Sequence, residues 1–169
     1  MKPLIVDLPF PSLDCIEKDL VAASIIASAY AGTHSEITSI LQYTYHSFYF
    51  DNLNDKSTAE VLMSIAVAEM KHLEILGKLL LRLGREPFFG LYYPLGKEFY
   101  NTSAVANSKT PQKMLLDNIA GELLAIEDYK KMIATLNNEQ VASVITRIKM
   151  DEELHVLALK SQMEKFCKN

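Results

Sequence analysis

Glu69-Met-Lys-His72 and Glu152-Glu-Leu-His155 are two copies of one pattern, a glutamate three residues before a histidine. On an α-helix, positions i and i+3 share a face, so each pair presents a carboxylate and an imidazole to the same point. Each pair also follows a lone glutamate at a similar remove: Glu36 lies 33 residues before Glu69, and Glu122 lies 30 before Glu152. Four carboxylates and two imidazoles make a mixed, moderately hard donor set suited to two divalent ions such as Fe(II) or Mn(II), and no thiolate is present to favour a structural zinc site. Four glutamate charges balance two divalent cations, whereas four unpaired buried glutamates carry a heavy desolvation cost. One copy of the pattern is weak evidence; two copies, each with its upstream glutamate, are strong.

Ligands so placed require long helices. Between Leu13 and Phe50 there is no proline and only Gly32, with apolar residues at helical spacing, which predicts one helix over 13–50 with Ser12 as N-cap. A turn over Asp51 to Asp55 leads to a helix over 57–83 that opens at Ser57 or Thr58 and ends at Gly84 as its C′ residue. Residues 85–109, rich in proline, glycine and aromatics, read as a long crossover whose aromatics cover the bundle flank. Thr110-Pro111 starts a helix over 111–136, and Asn137-Asn138 turns the chain into a helix over 139–166. The expectation is one all-α domain over 1–169, a four-helix bundle of two antiparallel hairpins joined by one long crossover.

In an antiparallel hairpin, residues at equal height are equidistant from the turn. The midpoint between Glu36 and the Glu69/His72 pair falls near residue 53, inside the first turn, and that between Glu122 and the Glu152/His155 pair falls at about 138, on the second. Both hairpins therefore bring their ligands to one level. The repeat extends further: Glu36-x-x-Ser-Ile-x-x-Tyr43 matches Glu122-x-x-Ala-Ile-x-x-Tyr129, which puts Tyr43 and Tyr129 two turns beyond the lone glutamates. Each tyrosine faces the interior and can donate its hydroxyl to a ligating carboxylate of the other hairpin.

Other chemistry-bearing residues read more plainly. His34 lies about 200° around the helix from Glu36 and His46 about 80°, which makes them surface or packing residues. Glu74, Glu127 and Glu153 are expected to be solvated, and Met63 and Met70 to fill core in preference to binding haem. A net charge of −4 without charge blocks argues against nucleic-acid or polybasic membrane partners. Cys15 and Cys167 form no disulfide framework, and the N-terminus is no signal peptide, so a cytoplasmic protein is expected. The apolar run Leu20 to Ala31 exceeds what one bundle needs to bury, which favours a homodimer.

At Glu36, Glu69-x-x-His72, Glu122 and Glu152-x-x-His155 the chain resembles the ferritin-like dimetal carboxylate superfamily, over nearly its whole length. It looks most like the rubrerythrin and bacterioferritin-like branch, and is similar to manganese catalases in Tyr-Ala-Gly-x-x-Ser-Glu and Glu-Met-Lys-His-Leu-Glu. The resemblance implies that Glu36 with His72 holds one ion, Glu122 with His155 the other, and that Glu69 and Glu152 bridge; on the manganese catalase pattern Glu152 is instead a base outside the ligand set. The activity it implies is that of a peroxidase or oxidase with two iron ions, acting on hydrogen peroxide or dioxygen with an external electron donor. A dimanganese catalase and an iron-storage protein are the alternatives. No rubredoxin-type cysteines follow the bundle, and the 14 residues after His155 stand against the fifth helix of a storage shell.

Overall fold

The computed structural model describes residues 1–167, with side chains through Phe166. Four long helices form the bundle: α2 (Glu36–Asn52), α3 (Lys56–Arg82), α4 (Pro111–Thr135) and α5 (Glu139–Cys167), preceded by a short α1 (Leu20–Ala31). α2 pairs with α3 and α4 with α5 as two antiparallel hairpins, linked by the crossover between Arg82 and Pro111. Among the described residues, no helix is long and apolar enough to cross a membrane.

The helix ends follow local chemistry. Asp55 caps α3 by accepting from the Thr58 N–H at 3.2 Å, two or three residues ahead of the expected Ser57 or Thr58. Gly84 closes it with φ +88°, while the Arg85 N–H reaches back to Leu80 O at 2.9 Å. Thr110 and Pro111 start α4 as expected, and the Asn138 side chain caps α5 through the Val141 N–H at 3.1 Å.

The single helix expected over 13–50 is instead two. Residues 1–19 run as an extended strap with a turn at Asp14-Cys15, Ser12 caps nothing but that turn, and Asp19 caps α1. Helix α1 stops at Gly32, whose N–H still bonds Ser28 O, and the chain restarts at Ser35. A Cβ at Gly32 would sit 2.6 Å from Ser28 O, so no other residue fits that corner without displacement. The Ser35 and Thr38 hydroxyls then bond the Gly32 and Thr33 carbonyls that the broken helix leaves free. Helical periodicity ran through this break because a four-residue corner barely shifts the apolar phase.

The crossover is not structureless. Gly90–Tyr93 (β1) and Gly96–Phe99 (β2) pair antiparallel, and Phe89 stacks on Tyr30 of α1 with ring centroids 5.6 Å apart. The bundle is all-α as expected, with this small hairpin laid on its flank.

Two apolar clusters fill the bundle. One is built from α1, the C-terminal half of α3, and the first half of α5, and includes Ile26, Leu76, Leu79, Leu83 and Ile145. The other, at the opposite end, includes Phe50, Leu62, Ile65, Met114 and Leu115. Seven of the twelve residues of α1 are buried in the first cluster, while Leu20 and Val21 at its start stay exposed. Between the two clusters lies a belt of buried charge.

Candidate metal centre

That belt contains all six expected ligands, and none is more than 4% exposed. Glu36 is the first residue of α2, where unpaired helix N–H groups favour a negative charge. Glu69 and His72 project from the middle of α3, Glu122 from α4, and Glu152 and His155 from α5. One ligand atom from each of Glu36, Glu69, His72 and Glu152 falls within a 4.8 Å cluster, and the same holds for Glu69, Glu122, Glu152 and His155. The two quartets share Glu69 and Glu152.

The imidazoles show how the belt is wired. His72 Nδ1 lies 3.5 Å from Glu36 Oε2, 3.2 Å from Glu69 Oε2 and 3.2 Å from Glu152 Oε1. His155 Nδ1 lies 3.1 Å from Glu69 Oε1, 3.5 Å from Glu122 Oε1 and 3.0 Å from Glu152 Oε2. Three carboxylate oxygens thus surround each nitrogen, which carries one hydrogen at most. The outer nitrogens are committed elsewhere: His155 Nε2 donates to Leu4 O at 2.8 Å, and His72 Nε2 to Asp151 Oδ2 at 3.0 Å. A carbonyl only accepts, so His155 Nε2 keeps its proton, and the ring in its neutral form would turn the Nδ1 lone pair inward toward a cation. Glu69 Oε1, fully buried, lacks a partner of hydrogen-bond geometry despite its proximity to His155. Inward lone pairs, an orphaned buried oxygen and four converging carboxylates fit a pair of cations.

Without cations, protons hold the belt together. Burial, reinforced by Glu152, pushes Glu122 up to about 8, and burial with Glu152 and Glu36 pushes Glu69 well above the usual carboxylate range. Burial works against charge on both histidines, yet Glu152 beside His72 and Glu122 beside His155 raise them well above the ordinary value. Burial likewise opposes charge on Glu152, but the two imidazoliums hold it well below its ordinary value.

Tyr43 donates its hydroxyl to Glu122 Oε1, and Tyr129 donates to Glu36 Oε1. Each tyrosine therefore reaches the lone glutamate of the opposite hairpin, as the repeat predicts. Burial, with Glu122 or Glu36 second, raises both phenols, which keeps them protonated as donors.

The sequence did not disclose what stands behind the histidines. Asp151, fully buried, accepts the Val6 N–H at 2.7 Å and is ion-paired with Arg147 at 2.8 Å. Arg147 in turn donates to Val6 O and Leu8 O of the strap and lies under the Phe10 ring. Asp151 and Arg147 stand four apart on α5 within the apolar rhythm of Val144, Ile145 and Ile148, and that spacing was the one available signal. Nothing in residues 1–10 marks a carbonyl as a histidine partner.

The remaining candidates lie elsewhere. His34 is exposed, and His46 is buried and bonded through Nδ1 to Asn118 at 2.9 Å. Glu74, Glu127 and Glu153 pair with lysines at the surface. Met70 is exposed and Met63 half-buried, so neither belongs to the core expected of them.

A family described as ferritin-like domain, in the ferritin group, matches residues 32–168. The fold is similar to that of wild-type KatB, a manganese catalase from Anabaena, with a TM-score of 0.83 at 21% identity, covering 96% of this chain and 80% of that one. It is also similar to BfrA, the bacterioferritin of Mycobacterium tuberculosis, with a TM-score of 0.75 at 22% identity, covering 90% and 89%. A Rhodobacter capsulatus bacterioferritin gives 0.73 at 20% identity with the same coverage. No curated protein matches the sequence.

Proposed function

The chain belongs to the ferritin-like domain family, and from that premise we propose that Glu36, Glu69, His72, Glu122, Glu152 and His155 hold two divalent metal ions, iron foremost, in a cytoplasmic redox protein acting on hydrogen peroxide or dioxygen. The observation that carries this reading is the pair of buried quartets overlapping at Glu69 and Glu152. Glu36 with His72 would hold one ion, Glu122 with His155 the other, and the shared glutamates would bridge. Six protein ligands leave coordination positions open for a small oxidant.

A pair of redox-active ions bound there supplies the two electrons that cleaving an O–O bond requires. The chain's own groups do the rest. Tyr43 and Tyr129 fix the lone carboxylates, Asp151 and Leu4 O fix the imidazole rings, and apolar clusters pack above and below the centre.

A dimanganese catalase is the second reading, supported by the likeness to KatB. The placement of Glu152, whose oxygens face both Nδ1 atoms, supports a shared ligand in either case and speaks against a base standing outside the ligand set. Elemental analysis after anaerobic loading tests the main reading: about two equivalents of iron or manganese are expected, and less than about one of each overturns it. Oxygen evolution from peroxide by the manganese form alone, with none from the iron form, would decide for the catalase.

A further inference from the structure

The bundle has two faces where one hairpin meets the other, α2 against α4 and α3 against α5, and they are finished differently. The strap covers the α3–α5 face: the Leu4 N–H donates to Ser64 O of α3, Leu4 O accepts from His155 of α5, and the Val6 N–H donates to Asp151 of α5. On the α2–α4 face a cleft of about 420 Å³ opens beside the corner of Gly32 and descends to Glu36, Glu69 and Glu152. Ala120, Gly121 and Ala125 of α4 form one wall, and their small side chains leave it wide. A Cβ at Gly121 would meet nothing within 4 Å, so no packing contact demands glycine in a helix that it weakens.

The lining selects by charge. Glu36, Glu69 and Glu152 form the floor, Asp117 and Asp128 lie nearer solvent, and among the described residues no lysine or arginine lines the cleft. Such a set attracts a cation and repels an anion. Oε1 of the fully buried Glu69 has no hydrogen-bond partner among the described residues, so the floor keeps an acceptor free for an arriving ion. At the rim, Asp117 is held by both Lys113 and Ser108, whereas Asp128 is paired with Lys131 one turn along its own helix. The Lys131 side chain is 74% exposed, and exposed pairs of this kind contribute little, so Asp128 can exchange the ammonium for a passing ion. A divalent ion with six waters displaces about 180 Å³, at about 30 Å³ per water. That is less than half of the cleft, so an ion need not shed its shell to enter.

We propose that the α2–α4 cleft is the door through which hydrated divalent cations reach the centre, with Asp128 receiving them at the rim and the strap holding the opposite face shut. This rests on the dimetal reading above and adds to it a direction of entry and a residue that serves entry without being a ligand of the filled site.

Stopped-flow mixing of the metal-free full-length protein with cobalt(II), followed by the visible absorption of the bound ion, reads the rate of loading, and elemental analysis reads the equivalents bound at equilibrium. A rate that rises with cobalt concentration is expected. Gly121→Leu and Ala120→Phe, which narrow the cleft from α4, should each load about tenfold or more slowly. Their equilibrium equivalents should be unchanged, which also shows that the variants fold. Asp128→Lys should slow loading about tenfold at low ionic strength, an effect that shrinks with added salt. Glu153→Lys, the same charge change on α5 outside the cleft, should stay within about twofold of the wild type. Rates of the three cleft variants all within about twofold of the wild type, equal slowing by Asp128→Lys and Glu153→Lys, or loading independent of cobalt concentration, as opening of the bundle would give, overturns the proposal. Fewer than about one equivalent in the wild type at equilibrium instead sinks the dimetal reading and the door with it. Equivalents and rates are separate readouts, so the two failures are told apart.

Discussion

The two halves of the proposed centre carry the same candidate ligands and the same tyrosines but differ behind the histidines. His72 Nε2 donates to a carboxylate, Asp151, itself held by Arg147 and the Val6 N–H; His155 Nε2 donates to the neutral carbonyl of Leu4. The difference comes from one position in the repeat. Asp151 precedes Glu152, whereas Ala68 precedes Glu69, so the second hairpin offers its neighbour a carboxylate and the first offers a methyl group. The strap supplies the missing acceptor. A carboxylate behind a ligating imidazole makes it a stronger donor than a carbonyl does, so the His72 position should bind its ion more tightly.

The largest effects should come from residues the two halves share. Glu69→Ala should abolish both metal equivalents, while Glu122→Ala should remove only the weaker one; elemental analysis of the loaded variants reads this directly, and retention of one full equivalent in Glu69→Ala would break the shared-ligand scheme. Next comes the asymmetry itself. Asp151→Asn should weaken the His72 position by about 10- to 100-fold in a calorimetric titration and leave the His155 position within a few-fold. It also strands Arg147, which is 4% exposed, and should cost about 3 kcal/mol or more in chemical denaturation. Removing residues 1–9 should do the reverse for His155, by about tenfold. Because it also takes the Val6 N–H from Asp151, some loss at His72 is expected too.

The comparison also explains what the sequence could disclose. Glu36, Glu122, both Glu-x-x-His pairs and both tyrosines were legible because helix periodicity and turn midpoints convert spacing into height. Thr110-Pro111 and Gly84 were legible because their roles depend on one residue's backbone. The break at Gly32 was not, since Ser35 and Thr38 satisfy it through tertiary placement while the apolar phase runs on. The strap was invisible for a deeper reason. It acts through the backbone of Leu4, Val6 and Leu8, and a carbonyl has no side-chain signature.

Titration should sharpen the comparison. In the metal-free protein, Glu122, Glu69, His72 and His155 all have folded values above their unfolded ones, so the folded state holds more protons. That stability is fully present below the unfolded values, near 4.5 for the carboxyls and 6.5 for the histidines. It falls as the pH rises through the folded values, for Glu122 about 8. Asp151 and Glu152, with lowered values, act oppositely and lose their contribution in acid. Metal-free protein should therefore melt highest in mildly acidic solution and progressively lower toward pH 8, and loaded protein should lose that decline. An apparent melting temperature that rises from pH 6 to 8 without metal would contradict the protonated belt.

The smallest effects belong to the tyrosines, and they test where the asymmetry stops. Tyr43→Phe removes the hydroxyl from Glu122, and Tyr129→Phe removes it from Glu36, with both rings kept in place in their apolar clusters. One hydrogen bond of about 0.5–1.5 kcal/mol corresponds to about a two- to thirteenfold loss of affinity at the ion its carboxylate would hold. Since the two contacts are equivalent across the repeat, the two losses should match within about a factor of two. If calorimetry instead finds Tyr129→Phe far more costly than Tyr43→Phe, the inequivalence created behind the histidines extends through the shared glutamates to the lone ones, and the two positions act as one coupled unit.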